Sequence, residues 1–426
     1  MSYSTTEVYA TKRQTIKFSM SLVPSKKQVE RRFVSDMIYG LLRGASVTLK
    51  DIGTALHEDI RIVNTIDRLS RNLQKPLSPE IDLNYRNKLI HNLADEPVFL
   101  VDDTDIIKPY GKVFEALGKV RDGSDPKHGI KPGYTVTEIV GLTAHEKQPV
   151  SFFSHIHSSQ ENGYISTNRV LYDGLNQVLF QLKKDSRPTF VFDRGYDMNA
   201  LFQFMHTHEK APYYVIRLTD KRNLRLGNRW LSAPTLAAAR KGKIRTDLTF
   251  WDSDHSKMRH ETVYISHMKT EITAGHFPIF LVLVYGLSDK PMMLATNRPI
   301  RGKKDVQKIV RLYLSRWRIE EYFRFKKQHF SFENIRVRSL QSMNNLNHMM
   351  SYAIALIGML ADQKQHSALT KLLIANAKAI RQDVCFLYYR IAQGMRNTLA
   401  YAREGIARWF KRRRYEPRQL SLFDFI

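Results

Sequence analysis

Three acidic residues lie where buried elements would bring carboxylates together. Asp103 closes an apolar run in VFLVDDT, Asp193 closes another in TFVFDRG, and Glu320 lies in the helical stretch SRWRIEEYF. An acid at the end of a buried strand is costly unless it is paired or bound to a metal ion. Each acid alone would commonly be a helix cap or a turn residue. The prediction of a site therefore depends on the three acids as a set.

The segment from about 304 to 329 is predicted to be one long helix that carries further charged groups beside the third acid. At about 100° per residue, four of its residues share one face. They are Tyr313, Arg316, Glu320 and Lys327. An acid flanked by a guanidinium and an ammonium suits a metal-binding carboxylate surrounded by phosphate contacts, because Arg binds phosphate oxygens in pairs and Lys acts as a point charge. The alternative is a surface helix held by salt bridges, but the aromatic residues of this segment favour burial.

The composition indicates a polyanionic partner. The 426 residues include 67 Lys or Arg and 41 Asp or Glu, a formal net charge of +26. The single cysteine, Cys385, excludes a disulfide framework and a cysteine-rich metal cluster. Because the basic residues are spread along the whole sequence, nucleic acid is favoured over an anionic membrane surface. No apolar run approaches the roughly 18 residues of a membrane-spanning helix, so we expect no membrane partner.

Residues 1–90 are predicted to form a helical DNA-binding region. Within it, a capping box of Thr48 and Asp51 opens the first of two short helices joined by a tight connection. The second of these helices would carry Arg61, Arg68 and Arg71. The pattern fits a helix-turn-helix that reads the major groove, and it equally fits a small helical bundle.

From residue 91 onward the periodicity is that of an α/β protein. Three β-rich runs, a helix, a strand, a helix and a last strand fill residues 91–219. Residues 220–300 are β-rich and are interpreted as an insertion, and residues 301–345 contain the helix with the third acid. Residues 346–426 are predicted to form a helical region that serves dimerisation or DNA contact. The longest apolar run, 349–361, lies in this region and would supply apolar area for a dimer contact or equally for the protein's own core.

The spacing Tyr-x2-Arg-x3-Glu-x6-Lys resembles the signature of the YREK group of bacterial insertion-sequence DDE transposases, which act by cut and paste. All four positions match in this chain. The stretch SRWRIEEYFRFKK is similar to the catalytic helix of that group, and DRGYDMNAL is similar to its second-aspartate region. The resemblance covers about residues 95–335.

The resemblance implies both a fold and a chemistry. The fold would be an RNase H-like core, a mixed sheet with flanking helices, interrupted by the β-rich insertion and accompanied by helical N- and C-terminal regions. Asp103, Asp193 and Glu320 would hold two Mg²⁺ or Mn²⁺ ions for an in-line displacement at phosphorus, and their oxygen-only ligand set suits these ions. The residues expected to contact the DNA of the transposon end are Tyr313, Arg316, Lys327 and Arg194.

Two departures from the family pattern leave alternatives open. The first motif offers Asp102, Asp103 and Asp105, and only one of them should face the metal ions. Asp102 and Asp103 are neighbours on a strand and point to opposite faces, so both cannot be ligands without a bulge. We choose Asp103 because a threonine follows it, as one follows the acid of the family. The related transposases also carry a tryptophan in the insertion, which stacks on a flipped base at the DNA hairpin stage. Here that position is Met292, which stacks less well than an indole, so Trp251 or Trp230 could take the role.

Other candidates are weaker. His155 and His157 fall on an alternating strand and are expected to line one sheet face, since no histidine pair has the helical spacing of a zinc site. The connection DPKHGIKPGY offers Lys127, Lys131 and Tyr134 as DNA contacts or as an ordinary exposed turn. The basic run at 411–415 is either a DNA contact or a solvated helix end.

The sequence thus predicts a DNA transposase, an endonuclease and strand transferase acting on the double-stranded DNA of element ends and target. We expect a divalent metal but no nucleotide cofactor, because phosphodiester exchange is nearly energy-neutral and no GxxxxGK[ST] loop is present. We also expect a homodimer in the synaptic complex and a cytoplasmic, nucleoid-associated protein. The alternatives are a nuclease of the same fold that cleaves without joining, and a non-catalytic DNA-binding regulator derived from such an enzyme.

Overall fold

The computed structural model describes residues 5–24, 26–123, 129–252, 257–272, 275–363, 365, 367–378 and 386–410. Among the sequence candidates, Lys127 and the basic run at 411–415 lie outside these residues. Within the described part of the chain, no helix has the length and apolar character needed to cross a membrane.

The N-terminal region is helical. Its elements are α1 (Thr5–Leu22), α2 (Gln28–Gly44), α3 (Leu49–Leu56), α4 (Ile62–Leu73) and α5 (Pro79–Ile90). The hydroxyl of Thr48 accepts a hydrogen bond from the backbone N–H of Asp51 and so caps α3, which is one half of the predicted capping box. The backbone N–H of Thr48 donates to the hydroxyl of Ser46 and not to Asp51. Arg68 of α4 donates to the buried Asp36 of α2 and to Glu58. Arg68 therefore fastens α4 to α2, and its charge is already paired within the protein.

A mixed sheet follows the helical region. Its first strands and helices are β1 (Val98–Ile107), β2 (Gly118–Arg121), β3 (Ile130–Leu142), β4 (Pro149–His157), α6 (Thr167–Gln181), β5 (Thr189–Phe192), α7 (Asn199–Thr207) and β6 (Tyr213–Arg217). β1 pairs in parallel with β5, and β5 pairs in parallel with β6, whereas β3 runs antiparallel to β1 and β4. The predicted order of strands and helices is present, with the short β2 added.

The β-rich region does not stand apart from this sheet. It contains β7 (Asn223–Leu226), β8 (Arg229–Ser232), α8 (Ala233–Ala238), β9 (Ile244–Asp252), β10 (Lys257–Ile272), β11 (Pro278–Tyr285) and β12 (Met292–Thr296). β12 pairs antiparallel with β6, so the described strands form one continuous sheet in the order β2-β3-β1-β5-β6-β12-β11-β10-β7-β8, with β4 on β3 and β9 on β10.

The single long helix predicted for 304–329 is wrong. The chain forms α9 (Lys303–Leu314) and α10 (Trp317–His329), separated at Ser315 and Arg316. Because the helix is interrupted there, the four signature residues do not share one continuous helical face. Their proximity comes from packing, since α9 lies on β5 and β6 and α10 lies on β1 and β4.

The C-terminal helices are α11 (Leu340–Asp362), α12 (Ala368–Ala375) and α13 (Tyr388–Ala400). The longest apolar run of the sequence, 349–361, lies in α11 and packs on β4, α2, α4 and α13. Met349 is fully buried and Leu360 is 2% exposed. The two uses considered for this apolar surface were dimer contact and the protein's own core, and the structure assigns it to the core.

Candidate active site: acids around Arg316

Two parallel strands bring the first acids together. Val101 of β1 pairs with Phe192 of β5, so Asp102 and Asp193 follow at neighbouring positions directly after the last parallel pair; β5 ends there, whereas β1 continues to Ile107. Asp193 keeps an extended backbone and precedes a short 3-10 helix, Arg194–Tyr196. Parallel pairing therefore places Asp102 and Asp193, which are about ninety residues apart in the sequence, beside each other in the sheet.

Arg316, in the break between α9 and α10, contacts three acids at once. Its Nη1 donates to Oδ2 of Asp102 over 3.1 Å, and its Nη2 donates to Oε1 of Glu320 over 2.5 Å. Its Nε lies 4.0 Å from Oδ1 of Asp193. The third acid lies in the first turn of α10, where the helix dipole favours a carboxylate. The three acids thus converge on one guanidinium.

The first of these acids is held in a recess. The side chain of Asp102 is 23% exposed. Burial raises the pKa of Asp102 to about 7, although Arg316 lowers it, and Asp193 adds to the rise. Three carboxylates surround one guanidinium here, and this excess of acidic groups suits the binding of further cations.

Asp103, the residue chosen from the sequence, lies apart from this cluster. It opposes Thr137 of β3 in the strand register, and the Thr137 hydroxyl donates to its Oδ1 over 2.6 Å. Burial raises the pKa of Asp103, and the hydrogen bond from Thr137 opposes this rise. Since adjacent strand residues point to opposite faces, Arg316 is contacted by Asp102, and the structure does not bring Asp103 to it.

Tyr313 and Lys327 are also engaged by acids. The Tyr313 hydroxyl donates to Oδ1 of Asp193 over 3.3 Å. Lys327 donates to Oδ1 of Asp105 over 2.7 Å and lies 3.0 Å from a carboxylate oxygen of Glu333. Burial lowers the pKa of Lys327, but Asp105 and Glu333 outweigh this effect and raise it. The cations of the signature are therefore neutralised within the DNA-free protein.

The remaining expected DNA contacts differ in accessibility. Arg194 is exposed beside Asp193. Met292 is only 8% exposed, in a strand pairing with β11, so its side chain belongs to the core. The ring centroid of Trp251 lies 5.9 Å from that of Trp317, which begins α10. Trp230 is 41% exposed and contacts His276 at the far edge of the sheet. Of the two insertion tryptophans considered from the sequence, Trp251 is therefore the one that contacts the helix carrying Glu320.

The candidates near the first strands are mostly structural. Tyr134 is fully buried and donates to the backbone carbonyl of Glu115, and Lys131 forms an ion pair with Asp122. His157 is 1% exposed, and its Nε2 lies 3.0 Å from the hydroxyl of Thr137. Burial lowers the pKa of His157 to about 4, and a neighbouring histidine adds to this effect.

The donor set of the cluster suits a hard divalent cation. Asp102, Asp193 and Glu320 offer only carboxylate oxygens, which Mg²⁺ and Mn²⁺ prefer. Among the residues that the structure describes, no three acidic, histidine or cysteine side chains are spaced as a ready metal site. Arg316 lies between the acids instead, so cation binding would require its guanidinium to move.

Sequence reasoning missed several partners of the signature residues. Asp105 was noted only as a neighbour of the first acid, and Arg217 at the end of β6, which contacts Tyr313, was not considered. A signal existed for Arg217, because a charged residue that ends the strand beside β5 is expected near Asp193. Strand periodicity gave none for Asp105, which is three residues beyond Asp102 and is predicted to point to the opposite face.

Comparison with known proteins finds a similarity to one family in the central region of the chain. Residues 162–357 match the transposase DDE domain. The matched DDE domain includes Asp193 and Glu320 but begins after the first aspartate motif. No curated protein matches the chain. Among solved structures, the chain is similar to the piggyBac transposase in a synaptic complex with hairpin DNA, determined by cryo-EM, with a TM-score of 0.44 and 12% identity over 94% of this chain and 75% of that chain.

Proposed function

We propose that this protein is a DNA transposase that cleaves DNA at the ends of a mobile element and joins the freed 3′-hydroxyls to target DNA. The observation that carries the proposal is the convergence of Asp102, Asp193 and Glu320 on Arg316. The match of residues 162–357 to the transposase DDE domain supports it independently. The sequence signature further supports the YREK group of insertion-sequence enzymes and an RNase H-like core carrying a β-rich insertion.

We propose Asp102 as the first acid of the catalytic set, in place of Asp103. The contact between Asp102 and Arg316 supports this choice, as does the engagement of Asp103 by Thr137. The set would then be Asp102, Asp193 and Glu320. A carboxylate cluster of this kind would hold two Mg²⁺ or Mn²⁺ ions, which when bound activate the attacking oxygen and stabilise the leaving oxygen.

The protein's own cations would orient the DNA. In the DNA-free protein Arg316 and Lys327 are paired with carboxylates. Once the acids have other counter-ions, Arg316 is free to bind phosphate oxygens in pairs, and Lys327 can do so as a point charge. The exposed Arg194 would add positive charge beside Asp193. The burial of Met292 argues against a role for it at a base, so we propose Trp251 for any base stacking.

The proposed partners are double-stranded DNA of the element ends and of the target. The net charge of +26 supports a polyanionic partner of this kind. Cutting at paired ends further implies a homodimer in the synaptic complex. Because α11 is buried within the protein, its apolar surface is not available for that contact.

The test is a reaction of purified protein with Mg²⁺, DNA carrying the inverted repeats that flank its gene, and a target plasmid. We expect 3′ ends cut at the repeats and joined products, and we expect Asp193→Asn and Glu320→Ala to abolish both while end binding persists. Cleavage without joining would support a nuclease. Unchanged activity of Glu320→Gln in cells would overturn the assignment in favour of a non-catalytic regulator.

A further inference from the structure

A fully buried ion pair lies beneath the acid cluster. Lys326 of α10 donates to Oε2 of Glu138 of β3 over 2.8 Å, and the two side chains are 1% and 0% exposed. Ser151 and Ser154 donate to the two carboxylate oxygens of Glu138, and Lys326 also donates to Oδ1 of Asn347 of α11 over 3.0 Å. The two charges and their hydrogen-bond partners therefore come from four elements, β3, β4, α10 and α11.

The location of this pair relates it to the acids. Glu138 opposes Asp102 in the β1–β3 register, and opposed residues of a strand pair point to the same face. Lys326 lies six residues after Glu320, about 9 Å along the axis of the helix. The ion pair thus connects the helix that carries the third acid to the sheet directly beside the strand that carries the first.

Stability alone gives no reason for this arrangement. Two charges lose their hydration on burial, and replacing such a pair by well-packed neutral side chains is often neutral or stabilising. What a buried pair supplies is a unique register, because any displacement of one element leaves both charges unpaired in a medium of low polarity. If α10 moved by one turn, about 5.4 Å, Lys326 could no longer reach Glu138.

We propose that Glu138 and Lys326 are positioning residues that fix the height of α10 on the sheet, so that Glu320 faces Asp102 and Asp193. The expected effect of these residues on cation binding rests on the proposed function. Their expected effect on the position of α10 does not, because that position can be measured whatever the protein catalyses. Neither residue touches Arg316 in the structure, and both act through the placement of the helix.

The variants that test this are Lys326→Met, Glu138→Gln and the double variant. Lys326→Met alone leaves a buried carboxylate without its cation and should lower the melting temperature. In the double variant, the amide oxygen introduced at position 138 can accept from one serine and the amide NH2 can donate to the hydroxyl oxygen of the other, so the melting temperature should recover. The affinity of the double variant for Mn²⁺, measured by electron paramagnetic resonance with Mn²⁺ alone and no DNA, should nevertheless remain about 10- to 100-fold below that of the wild type.

Asp36→Asn provides the matched control. It weakens another buried ion pair, with Arg68, in the N-terminal helices. We expect it to lower the melting temperature and leave the Mn²⁺ affinity unchanged, which separates general destabilisation from misplacement of α10.

A crystal structure of the double variant gives the second readout. We expect α10 to be displaced along its axis and the distance from Arg316 Nη1 to Asp102 Oδ2, 3.1 Å in the wild type, to lengthen. An unmoved α10 with wild-type Mn²⁺ affinity would overturn the proposal. If the wild type itself bound no Mn²⁺, the proposed function would fail. Only the position of α10 in the double variant would then test the positioning role of Glu138 and Lys326. Should the double variant not fold, Glu138→Gln is judged by the same two measurements.

Discussion

Arg316 is the residue on which the proposed site is centred. Burial lowers the pKa of Arg316, but Glu320, Tyr313, Asp102 and Asp193 outweigh this effect and raise it. A permanently charged group in this position keeps three acids close together while no other cation is bound. The same residue type binds phosphate in pairs, so one side chain can serve first the acids and then the substrate.

The two adjacent aspartates of β1 are predicted to differ sharply in importance. Asp102→Asn should reduce cleavage at the element ends more than about 100-fold, beyond the 10- to 100-fold typical of residues that only support metal ligands. Asp103→Asn should stay within that smaller range, because its carboxylate is engaged by Thr137 on the other face. Cleavage rates of both variants, compared at equal end binding, measure the difference. A larger loss in Asp103→Asn would restore the choice made from the sequence.

At the scale of elements, the site depends on interruptions and ends more than on regular structure. β5 ends directly before Asp193, β1 carries Asp102 at the point where its parallel pairing with β5 stops, and the break between α9 and α10 supplies the arginine that joins these acids. In a continuous helix, the direction of the Arg316 side chain would be fixed by the regular rotation of about 100° per residue. The break allows α9 to lie on β6 and α10 to lie on β1, with Arg316 directed at the acids between them.

Strand β4 is predicted to make the protein sensitive to acid through His157. The histidine pKa is about 6.5 in an unfolded chain and about 4 in the folded protein. Between these values the unfolded chain binds more protons, so stability should fall as pH decreases from about 6.5 to 4, by up to about 1.4 kcal/mol per pH unit. Protonation would also charge a buried ring whose Nδ1 has no hydrogen-bond partner.

Thermal unfolding between pH 7 and 5 measures this effect. His157→Gln can still donate from its amide NH2 to the hydroxyl oxygen of Thr137, whose own proton is donated to Asp103, and should have a shallower pH dependence than wild type. The exposed His91 gives the control, since His91→Gln should follow the wild-type curve. Parallel curves for wild type and His157→Gln would contradict the prediction.

At the scale of the whole molecule, the C-terminal helices pack against the N-terminal helices. α13 packs on α1 and α2, and Arg43 donates to the carbonyl of Ala402. Gly405 approaches so closely that an added Cβ would lie 1.7 Å from the carbonyl oxygen of Leu56. The regions predicted as separate terminal units are therefore in contact, and the N-terminal helices are held beside the sheet that carries the acids.

The net charge predicts a steep dependence of DNA binding on salt. With about six to ten phosphate contacts, affinity for end-bearing DNA should fall roughly 10³- to 10⁵-fold between 50 and 200 mM monovalent salt. Lys327→Ala should weaken binding and reduce the slope of log affinity against log salt by about 1. Titrations at several salt concentrations measure both. A slope near zero for the wild type would exclude phosphate contacts as the main source of affinity.

The sequence alone determined the local features, because they follow from residue type and short-range spacing. These include the helices of residues 5–90, the alternation of strands and helices around Asp193, the capping of α3 by Thr48, and the YREK spacing itself. Apolar content likewise identified 349–361 as a helix, although it left open whether the core or a partner would cover it.

Tertiary structure decided which of these residues meet. Strand periodicity states that Asp102 and Asp103 point to opposite faces, but only the docking of α10 selects the face that receives Arg316 and Glu320. The break at Arg316, the capture of Lys327 by Asp105 and the pairing of Glu138 with Lys326 likewise depend on contacts between residues far apart in the chain. Such contacts are set by how whole helices and strands pack. The spacing of residues within one element carries no information about the surface on which that element will pack.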